Sequence, residues 1–147
     1  MGYNPSQMNP NSRWDKRGKF VVDLILLLHN LGFNKLALKI KDFPSSGDYY
    51  KEILDFYGLI NDVELLTGRL HNHLGSTKLA VGQFSTAIIE FTYHKIPYYI
   101  YEPYENGKTD EMIDSAIIFN RSSVSRNIIE LEDNLRLQKP SEISDKD

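Results

Sequence analysis

A chain of 147 residues with 41% apolar and 25% charged side chains is the size and make-up of one ordinary globular domain with its own core. A net charge of −3, with basic residues scattered apart from Arg13, Lys16, Arg17 and Lys19, excludes a global field that draws the chain to nucleic acid or an anionic membrane. The absence of cysteine excludes disulfides and thiolate metal sites and fits a reducing compartment.

Residues 1–17 are rich in Asn, Pro, Ser and Gly, have no period and read as a loop. Their polar character holds no secretion signal. Arg17 to Asn30 reads as a helix, with Phe20, Leu24, Leu27, Leu28 and Leu31 at three- and four-residue steps and Gly32 placed to stop it. Leu24 to Leu28 is the longest apolar run, far short of the roughly 20 residues that cross a bilayer. The expected location is therefore cytoplasmic. Lys35 to Lys41 alternates as a strand does. Phe43 to Asp48 is a loop, and Tyr49 to Tyr57 is a short amphipathic helix closed by Gly58.

Val63 to Thr67 is a short strand, and Arg69 to Thr77 is polar and without a clear period. Leu79 to Gly82 is a small apolar run of the kind found in buried parallel strands. Ser85 to His94 reads as a helix capped by Ser85, and Pro97 to Tyr101 as an aromatic strand in which Tyr98, Tyr99 and Tyr101 pack the sheet. Lys108 to Phe119 and Ser123 to Leu137 read as helices. The expected organisation is one α/β domain over residues 1–137 and a disordered, charged tail over 138–147. Helices and strands that alternate in this way predict a Rossmann-like three-layer domain with a mainly parallel sheet. Ligands of such sheets bind beyond the C-terminal ends of the strands.

The turn with most chemistry is Val81-Gly-Gln-Phe-Ser-Thr-Ala-Ile-Ile-Glu90. Gly82 permits a sharp turn or a close ligand approach. The first amides of a helix lack internal partners and sit at the positive end of its dipole, which suits phosphate. Ser85 and Thr86 add two hydroxyl donors. Glu90, four residues after Thr86, lies about 40° further round the helix and is placed to accept from a sugar diol. The same residues also suit a plain capped helix with a solvated glutamate.

Gly82-Gln-Phe-Ser-Thr-Ala-Ile-Ile-Glu90, followed by Lys95-Ile-Pro-Tyr-Tyr-Ile-Tyr-Glu-Pro103, resembles the donor-binding half of GT-B glycosyltransferases of surface or capsular polysaccharide biosynthesis. The resemblance runs through residues 35–103 in order, but its specific part is about twenty residues. It implies that the helix start, with Gly82, Phe84, Ser85 and Thr86, holds the diphosphate of a nucleotide-sugar and that Glu90 binds the ribose. Lys95 departs from the pattern, which commonly has Gly before Ile-Pro. Lys39-Ile-Lys41-Asp42 stands where the family often has a basic residue and then His-Pro, so Lys39 or Lys41 is a diphosphate contact or part of a solvated strand face.

A domain that opens on so long a loop suggests a strand ahead of residue 1; with that strand Arg13 is a candidate phosphate contact, and without it the loop is expected to be disordered. Catalysis in the family needs a separate acceptor-binding domain, so weak or no transfer is expected of the chain alone. A second copy is the alternative protein partner. Neither a cofactor nor a metal is implied, the nucleotide-sugar being substrate, and the enzyme would work in the cytoplasm or peripherally at the inner membrane.

His71 and His73 would share one strand face, but no third metal ligand is placed by sequence. His71 is instead a candidate phosphate or nucleobase contact, or part of a surface loop. Glu102 and Tyr104 leave the last strand on the binding edge, where Glu102 can meet sugar and Tyr104 can stack on a base. No Gly-x-Gly-x-x-Gly, phosphate-loop lysine or Gly-x-Ser-x-Gly motif is present. Two further readings stay open. One is a non-catalytic nucleotide- or partner-binding module. The other is a fragment of a polyol-phosphate polymer transferase, although Gln83 and Phe84 stand where that class usually carries Asp.

Overall fold

The structure is a computed structural model that describes residues 13–40, 46–104, 111 and 123–142. The fold is α/β and Rossmann-like: helices alternate with short strands, and every strand pairing within the two sheets is parallel. Two compact units divide the chain, Met1–Gly68 and Arg69–Asp147. No described helix is long and apolar enough to cross a membrane.

In the first unit, helix α1 (Arg13–Asn30) leads to β1 (Leu36–Lys39), α2 (Ser46–Phe56) and β2 (Val63–Leu66). α1 begins earlier than the Asn- and Pro-rich run suggested, so Arg13 is helical. β1 and β2 are parallel, with Leu36 opposite Val63 and Lys39 opposite Leu66. The core joins Val21, Val22 and Ile25 of α1 to Ile53 and Leu54 of α2, Leu59 and Val63. Leu24 and Leu27 of the expected stripe are buried as well, so α1 is covered over more of its circumference than one stripe.

The second unit runs from a 3-10 segment (Leu70–Ser76) through β3 (Ala80–Gly82), α3 (Ala87–Tyr93), β4 (Tyr98–Tyr101) and β5 (Val124–Ser125) to α4 (Ile128–Arg136). The sheet order is β3-β4-β5. All of β4 is buried, which confirms its aromatic residues as packing. Its Tyr98 and Ile100 meet Ile88 and Phe91 of α3, Leu74 and Val124. α4 packs along β4 and β5 and buries Leu131 and Leu135.

All four described helices end in the same way. The amide two residues past the last turn reaches back to the carbonyl five residues earlier: Phe33 to Leu28, Leu59 to Leu54, Ile96 to Phe91 and Lys139 to Asn134. The residue between takes positive φ, 94° at Gly32 and 70° at Gly58. Lys95 and Gln138 adopt φ of 58° and 55° in the same place without being glycine. Lys95 thus makes the tight turn that the family pattern assigns to Gly, at a left-handed cost of about 1–2 kcal/mol.

Two expectations change. The helix expected over Ser123–Leu137 begins only at Ile128, because Asn127 caps it: Asn127 Oδ1 accepts from Glu130 N–H at 2.9 Å, and Glu130 Oε1 accepts from Arg126 N–H at 3.2 Å. Ahead of that cap, Val124–Ser125 forms β5 beside β4, with Ile100 opposite Val124. Of the helix expected over Lys108–Phe119, only Glu111 is described, and it is helical.

The second change concerns the tail expected from Gln138, since Ser141 is buried. Its N–H donates to Tyr98 C=O at 2.8 Å and its Oγ donates to Ser123 C=O at 2.6 Å. The same Oγ accepts from Ile100 N–H at 3.0 Å. One hydroxyl thereby joins β4 to the residue that opens β5. Replacing it leaves two buried backbone groups short of a partner. Ser141→Ala is expected to lower the unfolding free energy by about 2 kcal/mol, read by urea denaturation.

Candidate functional site

β3, β4 and β5 are parallel, so Gly82, Tyr101 and Ser125 end on one edge of the second unit. The turn from β3 to α3 rises from that edge. Its peptide group between Gln83 and Phe84 is held at both ends by β4. Tyr98 OH donates to Gln83 C=O at 2.6 Å, and Glu102 Oε1 accepts from Phe84 N–H at 2.8 Å. Tyr98 and Glu102 share one face of an extended segment by the two-residue period. A trans peptide points its C=O and N–H in opposite directions, which is why two separated side chains can grip it.

Gly82 has an internal reason. A Cβ there would stand 2.7 Å from Tyr98 Oη, so the glycine makes room for this tyrosine. Glu102 is 1% exposed, and its carboxylate serves the turn. Ser85 acts as the cap, since its Oγ accepts from Ala87 N–H at 3.2 Å while Thr86 makes no side-chain cap. The hydroxyl read as a phosphate donor is thus engaged in holding the turn. α3 then opens on short-range bonds, Ile88 N–H to Ser85 C=O and Ile89 N–H to Thr86 C=O, both 3.1 Å. Among the described residues, the Ser85 and Thr86 N–H groups and the Thr86 hydroxyl meet no protein partner. Thr86 and Glu90 are exposed.

The other candidates scatter. His71 is exposed, and its ring centroid lies 6.4 Å from that of His94, the residue just past the C-terminal end of α3. It therefore stands at the end of α3 away from the turn. Tyr104 is half-buried just beyond β4. Lys39 belongs to the first unit, where its Nζ donates to Ile40 C=O at 2.8 Å. Arg13 lies in the first turn of α1, and Lys41 falls outside the described residues. No cluster of three metal-ligating side chains occurs among the described residues. The sequence reading passed over Arg126, half-buried directly after β5 on the same edge as Glu102. Its signal was an arginine between Val124-Ser125 and the cap sequence Asn127-x-x-Glu130.

Burial pushes the Tyr98 phenol from 10.0 up to about 12; the Ser85 hydrogen bond opposes this and the Glu102 charge reinforces it. A group raised on folding adds stability that is complete below its unfolded value and disappears as pH rises through its folded value. Unfolding free energy is expected to fall between pH 10 and about 12, and Tyr98→Phe should flatten much of that fall. Tyr50 and Tyr99, also raised by burial, supply the remainder. Gly82→Ala is expected to cost about 1–3 kcal/mol by crowding Tyr98 and less in a Tyr98→Phe background, as a double-mutant cycle would show.

Comparison with protein-family models, with curated proteins and with solved structures finds no match.

Proposed function

We propose that the chain is a nucleotide-sugar-binding domain of a glycosyltransferase of surface polysaccharide biosynthesis, similar to the donor half of the GT-B enzymes and working at the cytoplasmic face of the membrane. The supporting observation is the turn after β3, where the Ser85 and Thr86 amides and the Thr86 hydroxyl have no protein partners among the described residues while Glu90 stays exposed four residues on. A diphosphate would accept from those three donors. Glu90 would accept from the ribose hydroxyls. Glu102 already takes the Phe84 amide and repels a second anion there, so the diphosphate seat moves toward Thr86. Arg126 adds a positive charge to the same edge.

In this scheme preorganised amides stabilise the charge that develops on the leaving diphosphate. The acceptor and its base come from another domain. The test is calorimetric titration with uridine, cytidine and guanosine diphosphates. One of them should bind, and Glu90→Ala should weaken it by about tenfold, or 1.4 kcal/mol. Lack of binding by all three would sink the reading in favour of a non-catalytic partner module.

A further inference from the structure

We propose that residues 139–142 are a detachable strap over β4, and that its release loosens the turn between β3 and α3. Ser141 fastens the strap in two ways. Its N–H donates to Tyr98 C=O at 2.8 Å, which makes a single antiparallel bridge between the two residues. Its Oγ accepts from Ile100 N–H at 3.0 Å and donates to Ser123 C=O at 2.6 Å.

The second fastening occupies a place that the sheet can close unaided. β4 and β5 are parallel, with Ile100 opposite Val124. In such a ladder the Ile100 amide faces the carbonyl of the residue before Val124, which is Ser123. The Ser141 hydroxyl is thus inserted between the two members of a ladder bond. Once it withdraws, Ile100 N–H bonds Ser123 C=O directly, so a second state exists that gives up little there. Tyr98 C=O is the group that release hands to water.

Little else holds the strap. Gln138, at φ 55°, turns the chain out of α4 in a left-handed conformation that is costly for a non-glycine residue. Lys139 N–H belongs to the helix stop and bonds Asn134 C=O, and Pro140 has no N–H to give. Leu137, Gln138, Lys139 and Glu142 are exposed around the buried Ser141. A segment with one buried residue and few backbone bonds opens at a fraction of the global unfolding free energy.

Tyr98 carries the effect across the sheet. Its carbonyl holds the strap, and its phenol holds Gln83 C=O at 2.6 Å. Release removes one of the bonds that fix Tyr98 and so frees the Gln83–Phe84 peptide to leave Glu102. By linkage, any ligand that needs this turn ordered must also fasten the strap.

The test follows amide exchange of the full chain in rising urea, below the unfolding transition. No nucleotide is added, so the result is independent of the sugar-donor reading. Ser141 and Phe84 should exchange through one opening of shallow urea dependence, about tenfold or more ahead of Leu131 in α4. Ile100 should stay about tenfold or more better protected than Ser141, because Ser123 takes over its N–H. Ser141→Asp, which buries a charge in the strapped state, should speed Phe84 exchange by about tenfold while Leu131 stays protected. If that variant does not fold, as circular dichroism would show, exchange in the unaltered chain decides alone. Ser141 opening only together with Leu131, with the steep urea dependence of global unfolding, overturns the proposal. So does Phe84 opening apart from Ser141, or Ile100 opening along with it.

Discussion

One peptide group governs the second unit. The bond between Gln83 and Phe84 is gripped through its carbonyl by Tyr98 and through its amide by Glu102. Both side chains come from β4, a strand buried throughout, and its immediate continuation. Much of the local sequence answers to that grip. Gly82 is small because the Tyr98 hydroxyl lies against it, and the Ser85 hydroxyl accepts from the start of α3. Glu102 sits where the positive end of the α3 dipole favours an anion. Part of the turn's appetite for negative charge is therefore met from within, and what it offers a ligand is narrowed to the groups around Thr86.

The sheet of this unit is closed by pieces too short to stand alone. β5 contributes two residues, and Ser141 completes the same side of β4. A two-residue strand gains little by itself, because few ladder bonds offset the chain entropy of ordering it. Buried hydrogen bonds from a single serine, together with the cap at Asn127, fix where that strand lies and where α4 starts. Order at the end of the chain and order at the edge that carries Glu102 are linked through β4: Ser141 binds Tyr98 and Ile100, and Glu102 N–H bonds Ser125 C=O.

The helix stops show how one backbone device is written in two ways. Gly32 and Gly58 announce the left-handed residue openly. Lys95 and Gln138 do not, yet each is followed two residues later by a proline, Pro97 and Pro140, which cannot continue a helix. Stability given up at those two positions is offset by the backbone bonds from Ile96 and Lys139.

Sequence alone determined the local features: the alternation of helices and strands, their parallel pairing, the glycine stops, and β4 as a packed aromatic strand. These follow from period and from residues that act within a turn or two of themselves. Tertiary structure decided the rest. Phe84 and Glu102 are 18 residues apart, and Ile100 and Ser141 are 41 apart. Nothing in either neighbourhood says that a glutamate read as a sugar ligand braces a turn, or that a serine in a charged tail enters the core. A polar side chain carries the same local pattern whether water or a buried amide receives it, and only the folded chain determines which.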